Sequence, residues 1–104
     1  MEKQTFKRGD YVYIEKTGIN SELLCYISIV NEYDNDSQTL YEIASVMAKN
    51  MSDNDEFDYI WYDGMTNDVV YIRKAIPNEI QYLNLRLADD ARVFNMKTLT
   101  IDEY

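Results

Sequence analysis

Two pairs of aspartates, each pair separated by one residue, are the part of this sequence best suited to chemistry. Asp34 and Asp36 form one pair, and Asp53 and Asp55 form the other. Carboxylates at alternate positions are typical of calcium loops, and two fixed carboxylates also serve as acid and base in most glycosidases. An EF-hand loop further needs glycine at its sixth position and glutamate at its twelfth, and neither pair is followed by that pattern. We therefore expect solvated turn acids rather than a metal or catalytic site.

The chain contains no histidine, and this absence excludes several enzyme mechanisms together. Serine and cysteine nucleophiles normally rely on an imidazole base, and most catalytic zinc sites use at least one imidazole ligand. The single cysteine, Cys25, can form neither an internal disulfide nor a thiolate zinc site. The three glycines stand apart, so they form no phosphate-binding loop. The sequence therefore predicts a protein that is not an enzyme and has no catalytic residues, metal or cofactor.

Negative charge is concentrated in the middle of the chain. Of 104 residues, 19 are acidic and 10 are basic, which gives a net charge of −9. Between Thr17 and Ile72, eleven acids face Lys49 as the only base, so this segment carries −10 and the flanks sum to +1. Such a field repels nucleic-acid backbones and anionic lipids, and it attracts basic protein surfaces. The sequence therefore predicts a basic protein as partner, with no direct contact to nucleic acid or membrane.

The compartment follows from what the chain lacks. No apolar run approaches the roughly 20 residues of a membrane span, and the N-terminus shows no apolar core of a signal peptide. A lone cysteine agrees with a reducing compartment. We expect the protein in the cytoplasm.

Aromatic side chains accompany the acids in the stretch SDNDEFDYIWYDG, residues 52–64. Tyrosine and tryptophan are frequent interface anchors because they bury a large area and keep a polar tip. Alternate side chains of a strand lie about 6.8 Å apart on one face, so acids beside aromatics could imitate a nucleic-acid strand in a basic groove. The residues that we expect to contact such a partner are Asp53, Asp55, Glu56, Asp58, Tyr59, Trp61, Tyr62, Asp63 and Asp68.

Trp61 is the only tryptophan and has two possible positions. A small domain must fill its core with large side chains, and this requirement favours a buried Trp61 over an exposed contact residue. Together with Tyr59, Tyr62 and Tyr71 it lies on two consecutive predicted strands, which we expect to be adjacent in the sheet.

Five short strands are predicted before residue 75. Each is rich in β-branched and aromatic residues, and turn residues such as Gly, Asn, Asp and Ser separate them. The segments are GDYVYIE, LLCYISIV, TLYEIASVMA, FDYIWYD and VVYIRK. Five strands joined by short connections indicate a strongly bent antiparallel sheet or a small barrel over residues 6–75.

The C-terminal third changes character at Pro77, which suits the first turn of a helix. Ile80, Leu83 and Leu87 follow the three-four spacing of one helix face, which predicts a helix over residues 77–91. Leu83, Leu85 and Leu87 also alternate, so a strand is the alternative. A short hairpin is predicted over residues 92–102, and the whole chain, residues 1–104, is expected to form a single α+β, mainly β domain.

Three segments resemble short uncharacterised proteins from phages and mobile elements of gut anaerobes. They are FKRGDYVYIE, which also resembles the first strand of SH3-like barrels, YIRKAIPNEIQYL and ARVFNMKTLTI. Together they cover about a third of the chain. The resemblance implies an SH3-like barrel with an appended helix and hairpin and an origin in a mobile element, and it implies no activity or functional residues.

Two functions agree with these features. The first is an acidic inhibitor that blocks a basic, nucleic-acid-binding host protein, such as a nuclease, in the manner of anti-defence and anti-CRISPR proteins. The second is a structural or assembly domain that self-associates, as a homodimer for example, through its tyrosine-rich sheet. In the second case the acids serve only solubility.

Overall fold

The computed structural model describes residues 5–48 and 60–104. These residues form seven strands and one helix, and the strands contain most of the apolar, β-branched segments. In chain order the elements are β1 (Tyr11–Thr17), β2 (Leu23–Asp34), β3 (Thr39–Met47), β4 (Ile60–Thr66), β5 (Val69–Lys74), α1 (Pro77–Asp89), β6 (Arg92–Asn95) and β7 (Thr100–Glu103).

The first five strands form one antiparallel sheet in the order β4-β3-β2-β1-β5. Consecutive strands pair from β1 to β4, and β5 returns to pair with β1. This arrangement confirms the predicted mainly β class with five strands, one helix and a C-terminal hairpin. Within residues 5–48 and 60–104 no ladder joins β4 to β5, so of the two predicted forms the bent open sheet is correct and the closed barrel is not.

The sheet bends where the ladder between β2 and β3 is irregular. Ala44 is opposite Ile29 but Glu42 is opposite Val30, so Ile43 is an additional residue on β3. A compensating shift follows on β2 one residue later. Bulges of this kind increase the local twist and change which side chains face each side of the sheet.

The bend brings two turns into contact. Val69, the first residue of β5, donates its N–H to the carbonyl of Gln38 at 3.1 Å. Thr39 Oγ1 donates to Asn67 Oδ1 at 3.2 Å. The β2–β3 turn therefore touches the β4–β5 turn, although β2 and β3 lie away from β5 in the strand order.

The sheet has an apolar cluster on each face. The inner face, which lies inside the bend, carries Val12, Ile14, Val30, Leu40, Val69 and Ile72. The outer face is covered by α1 and the hairpin, and its cluster contains Ile27, Ile29, Ile43, Ala44, Val46, Leu83, Leu87 and Phe94. Each cluster removes several β-branched or leucine side chains from water, which is the main term that stabilises the fold.

Helix α1 begins where the sequence predicts. Pro77 occupies the first turn, and Glu79 Oε1 accepts the N–H of Ile76 at 2.9 Å, which satisfies one of the free amides at the helix start. Leu83 and Leu87 are fully buried, whereas Leu85 is 57% exposed. This pattern confirms the helix and excludes the alternative strand. The helix ends two residues earlier than predicted because Ala91 adopts a left-handed φ of 58°.

The hairpin β6–β7 packs against the start of the chain. Asn95 Oδ1 accepts the N–H groups of Lys97 and Thr98 at 2.9 and 3.2 Å, which shapes the turn. Gly9 has φ +95°, and a Cβ there would lie 2.7 Å from Leu99 Cδ2. Glycine at position 9 therefore permits both the backbone conformation and the close approach of the hairpin.

The largest differences from the predicted strand boundaries are at the C-terminal ends of β2 and β4. β2 continues past Val30 to Asp34 because its last residues pair with the start of β3. β4 continues through Gly64 to Thr66 because these residues still pair with Glu42 and Leu40, so the turn is confined to Asn67 and Asp68. The first part of the predicted fourth strand, residues 57–59, lies outside the described residues.

The only helix among residues 5–48 and 60–104 is too short and too polar to cross a membrane.

Candidate functional site

The predicted contact residues divide into two groups. Five of them lie outside the described residues: Asp53, Asp55, Glu56, Asp58 and Tyr59. The other four are on β4 or in the turn after it: Trp61, Tyr62, Asp63 and Asp68. The structure does not bring these four together: Trp61 lines one pocket, Tyr62 and Asp63 line another, and Asp68 is in the turn.

Trp61 lies on the inner face and is not a core residue. Its side chain is 43% exposed, so the expectation of a buried Trp61 is wrong. Trp61 is opposite Ser45 in the ladder, and its ring meets the ring of Tyr26 edge to face at 5.6 Å between centroids. The inner cluster is filled by β-branched residues and Leu40 instead, which leaves the tryptophan available for contact.

Tyr62 lies on the outer face and has partners within the protein. Its hydroxyl donates to Asp90 Oδ2 at 2.9 Å, and the Arg92 guanidinium lies 4.1 Å from the centre of its ring. Burial, followed by the contact with Asp90, raises the pKa of Tyr62. The residue therefore connects β4 to the end of α1 and to the hairpin.

Asp63 lines a pocket that also contains two arginines and one other acid, Glu103. It has φ +53°, and the pocket, of about 400 Å³, is also lined by Arg8, Tyr62 and Arg92. The expected proximity of Trp61 and Tyr71 is also wrong, because β4 and β5 are opposite edges of the sheet. The sequence did not show that β5 pairs with β1 in the sheet instead of with β4.

Exposed acids lie at the end of β2, in the β2–β3 turn and in the β4–β5 turn. We call these four acids the acidic turns: Glu32, Asp34, Asp36 and Asp68. Asp34 also shapes its turn, since it accepts the N–H of Asp36 at 2.9 Å and the hydroxyl of Ser37 at 2.9 Å. Among residues 5–48 and 60–104 no group of three acidic or cysteine side chains is arranged to hold a metal ion.

The described acids of the central segment do not all lie on one side of the molecule. The acidic turns form one group, but Asp63 lines a pocket with Arg8 and Arg92, and Glu42 is inside the bend of the sheet. Glu42 is 4% exposed although the sequence places it among the surface acids. The expected single row of charge is therefore limited to the acidic turns within the part of the chain that the structure describes.

Glu42 opens into a pocket on the inner face, which we call the Glu42 pocket. The pocket has a volume of about 200 Å³. Four strands of the sheet supply its lining: Lys16, Tyr26, Glu42, Ser45, Trp61, Gly64, Met65 and Thr66. The bulge at Ile43 turns Glu42 to the same face as Ser45, because without the additional residue Glu42 would share a face with Ala44 on the outer side.

Hydroxyl groups hold the carboxylate of Glu42 in place. Ser28 Oγ donates to Oε2 and Thr66 Oγ1 donates to Oε1, each at 2.9 Å. Ser28 Oγ also lies 2.8 Å from Ser45 Oγ. Burial raises the pKa of Glu42, while the hydrogen bonds from Ser45, Ser28 and Thr66 and the charge of Lys16 partly oppose the rise.

Comparison of the chain with family models, curated proteins and solved structures gave no match. The candidate site therefore rests on the geometry of this protein alone.

The Glu42 pocket was not predicted from the sequence. Glu42 was expected to be one acid of a surface field, and no role was expected for Lys16, Tyr26 or Thr66. One signal was present: Glu42 interrupts the otherwise apolar run of TLYEIASVM. A charged residue in the middle of a buried strand is rare unless it has a partner or a function.

We predict that Glu42→Gln stabilises the protein at neutral pH by about 1 kcal/mol. Because the folded state raises the pKa, it binds the Glu42 proton more tightly than the unfolded chain does. The cost of ionising Glu42 is thus fully present above its folded pKa and disappears as the pH falls below the unfolded value of about 4.3. Urea unfolding of both proteins as a function of pH measures the difference. The gain should vanish at acid pH, and a loss of stability at neutral pH would contradict it.

Proposed function

We propose that the protein is a non-enzymatic acidic binding protein that covers a basic, nucleic-acid-binding surface of another protein. The observation that carries the proposal is the contact between the two turns, through Val69 with Gln38 and Thr39 with Asn67. Glu32, Asp34 and Asp36 line one surface pocket, and this contact joins their turn to the turn that contains Asp68. A row of fixed carboxylates offers the lysines and arginines of such a partner the charges that phosphates normally supply.

The distribution of basic residues supports the acidic turns as the binding surface. The described ion pairs join flank bases to acids outside the acidic turns: Arg73 with Glu79, Lys74 with Asp10, Arg86 with Asp89, and Arg92 with Glu103. Between Glu32 and Asp68 the sequence has only one base, Lys49. These four bases are thus directed at flank acids, and the described ion pairs leave the negative charge of the central segment in excess.

The identity of the partner class is part of the proposal. A cytoplasmic nuclease or another nucleic-acid-binding protein of a host defence system has the required basic groove. A phage or mobile element that encodes such an inhibitor would be protected from the host defence system. The protein then acts as a nucleic-acid mimic, and it needs no catalytic residue of its own.

Neutralising the acidic turns should weaken binding to a basic ligand. We expect the triple variant Glu32→Gln, Asp36→Asn and Asp68→Asn to bind an arginine-rich synthetic peptide at least about tenfold more weakly, or about 1.4 kcal/mol. Asp34 stays unchanged because it shapes its turn. Asparagine tolerates the φ of 58° at position 68. Isothermal titration at about 0.1 M and about 1 M salt measures the affinity and its screening.

A matched control carries the same change in net charge at another place. In the variant Asp89→Asn, Asp102→Asn and Glu103→Gln the neutralised acids belong to α1 and β7. If both triple variants lose the same affinity, only net charge matters and the acidic turns are not the binding surface. Proteins that the immobilised wild type retains from a bacterial lysate should be released by duplex DNA, and retention that DNA does not affect would contradict the mimic.

A self-associating domain is the second candidate. One observation favours it: β5 is an edge strand, and Val70 and Tyr71 on it are 54% and 45% exposed. Exposed edge strands can pair with a second copy of the same chain. Light scattering over a range of concentrations tests for a dimer, which should survive charge reversal at Asp53 and Asp55.

A further inference from the structure

We propose that the Glu42 pocket binds the cationic end of an arginine or lysine side chain, which the basic partner inserts when it docks on the acidic turns. The inference rests on the proposed function and names the group that the site recognises. Its starting observation is a buried carboxylate that opens into a pocket with an exposed tryptophan.

Among residues 5–48 and 60–104 no cation lies within ion-pair distance of Glu42, and only the more distant charge of Lys16 acts on its carboxylate. The other buried glutamate, Glu79, shows the usual arrangement, because both of its oxygens bind the Arg73 guanidinium at 2.9 Å. A buried charge without a close opposite charge is unfavourable, so an incoming cation gains interaction energy at Glu42 that it would not gain at a surface acid.

The carboxylate can still accept hydrogen bonds. Oε2 accepts the Ser28 hydroxyl and Oε1 accepts the Thr66 hydroxyl, and the two oxygens of a carboxylate together have room for about four donors. A Cβ at position 64 would lie 3.2 Å from Glu42 Oε1. Glycine at position 64 therefore keeps the approach to this oxygen open.

The aromatic lining suits a cation as well. Trp61 and Tyr26 meet edge to face, so at least one ring face remains beside the pocket. A cation within about 6 Å of a ring centre is attracted by the negative face of the ring, and tryptophan is the best such partner. The described residues include contacts of this kind, with the Arg73 guanidinium 4.2 Å from the centre of the Tyr13 ring and that of Arg92 4.1 Å from the centre of the Tyr62 ring.

The size and place of the pocket indicate a side chain rather than a larger ligand. A volume of about 200 Å³ is below the range of roughly 300 to 1,000 Å³ that holds drug-sized ligands. Thr66, which donates to Glu42, is the last residue of β4 and is followed directly by the turn that contains Asp68. The pocket therefore lies next to the turn that contains Asp68, and a basic surface that docks on this turn has its side chains close to the pocket.

Three titratable groups line the pocket: Lys16 on β1, Tyr26 on β2 and Glu42 on β3. Burial raises the pKa of Tyr26, so this tyrosine remains neutral. Lys16 lines the pocket without an ion pair to Glu42 and competes with a second cation by repulsion. Because the pKa of Glu42 is raised, its protonation should weaken cation binding at a higher pH than an ordinary glutamate would.

The fluorescence of Trp61 reports the site directly, since it is the only tryptophan. The probes are Nα-acetylarginine amide and Nα-acetyllysine amide, with Nα-acetylcitrulline amide as the neutral control of the same shape. We expect a saturable change in Trp61 fluorescence for the two cationic probes, with dissociation constants in the millimolar range, and no change for the citrulline probe. The inference is overturned if wild type shows no saturable change or if citrulline binds equally well.

Variants separate the pocket from the acidic turns. Glu42→Gln and Gly64→Ala should each lower the affinity for the arginine probe at least about fivefold, because one removes the charge and the other narrows the approach. Lys16→Gln should raise the affinity. Asp36→Asn with Asp68→Asn should change it less than about twofold, because single amino acids do not reach both turns.

The two proposals fail in different ways. Suppose that Glu42→Gln leaves the affinity for the arginine probe unchanged, while the triple variant of the acidic turns no longer binds the arginine-rich peptide. The proposed cation site is then wrong, and the acidic turns remain the proposed binding surface. If the triple variant binds the peptide as wild type does but Glu42→Gln loses the probe, the cation site stands without the proposed function. Circular dichroism and an unfolding curve for each variant confirm that the compared proteins are folded.

Discussion

Replacing Leu83 by alanine should lower the free energy of unfolding by about 3 to 4 kcal/mol. Leu83 is fully buried in the outer cluster, where α1 packs on the sheet. The substitution removes apolar contacts and leaves a cavity between elements that cannot collapse onto it. Guanidinium unfolding measures the loss, which is a large share of the total stability of roughly 5 to 15 kcal/mol expected for a domain of this size.

Leu85→Ala on the same helix is the matched control. Leu85 is 57% exposed, so its truncation should change the stability by less than about 0.5 kcal/mol. In a strand, residues 83, 85 and 87 would share one face and both substitutions would have similar effects. Equal losses at both positions would therefore contradict the packing of α1.

The helix shows which part of the fold the sequence could predict. Pro77, the three-four spacing and the turn residues between strands are local signals, and they locate α1, the hairpin and most of the strands. The end of β4 was missed because Gly64 resembles a turn residue, whereas its pairing with Glu42 keeps it in the sheet. The order of the strands could not be predicted from local signals either, because β5 pairs with β1 across more than fifty residues of chain.

The candidate site was harder to predict for the same physical reason. The direction of Glu42 depends on the bulge at Ile43, and a one-residue shift moves a side chain to the other face of a sheet. Asp63 lines a pocket with Arg8 and Arg92, which are distant in the sequence, and no local pattern shows this proximity. Composition predicted an acidic protein correctly but could not separate surface acids from a buried one.

Glu42 and Glu79 show two different uses of a buried carboxylate in one small protein. Glu79 has a bidentate arginine and a helix amide, and it stabilises the junction of β5 and α1. Glu42 has only hydroxyl groups and lines a pocket. Groups that reduce stability in the free protein are common at binding sites, where the ligand supplies the missing interaction. The expected gain in stability of Glu42→Gln and its expected loss of cation binding therefore have one cause.

Removing the arginine partner of Glu79 should have the opposite effect to removing the charge of Glu42. We expect Arg73→Met to lower the free energy of unfolding at neutral pH by about 2 to 3 kcal/mol, because it leaves Glu79 buried without its counter-ion. The estimate is at the lower end for buried pairs, since the Arg73 side chain is 34% exposed. Lys74→Met is the control: its pair with Asp10 at 3.4 Å is exposed and should contribute less than about 1 kcal/mol.

The dependence on pH identifies the carboxylate as the cause. Burial acts to raise the pKa of Glu79, but hydrogen bonds from Arg73 and the Ile76 amide outweigh it, and the folded-state pKa is lowered. The stability from this pair is therefore fully present above the unfolded pKa of about 4.3 and is lost as the pH falls through the folded value. In Arg73→Met only burial and the amide remain, so Glu79 protonates more readily and the difference from wild type should narrow in acid.

The double variant Arg73→Met with Glu79→Gln keeps the helix cap and should recover part of the loss. A difference that stays constant down to acid pH, or a double variant as unstable as the sum of the single ones, would show that Arg73 acts through its contact with Tyr13 instead.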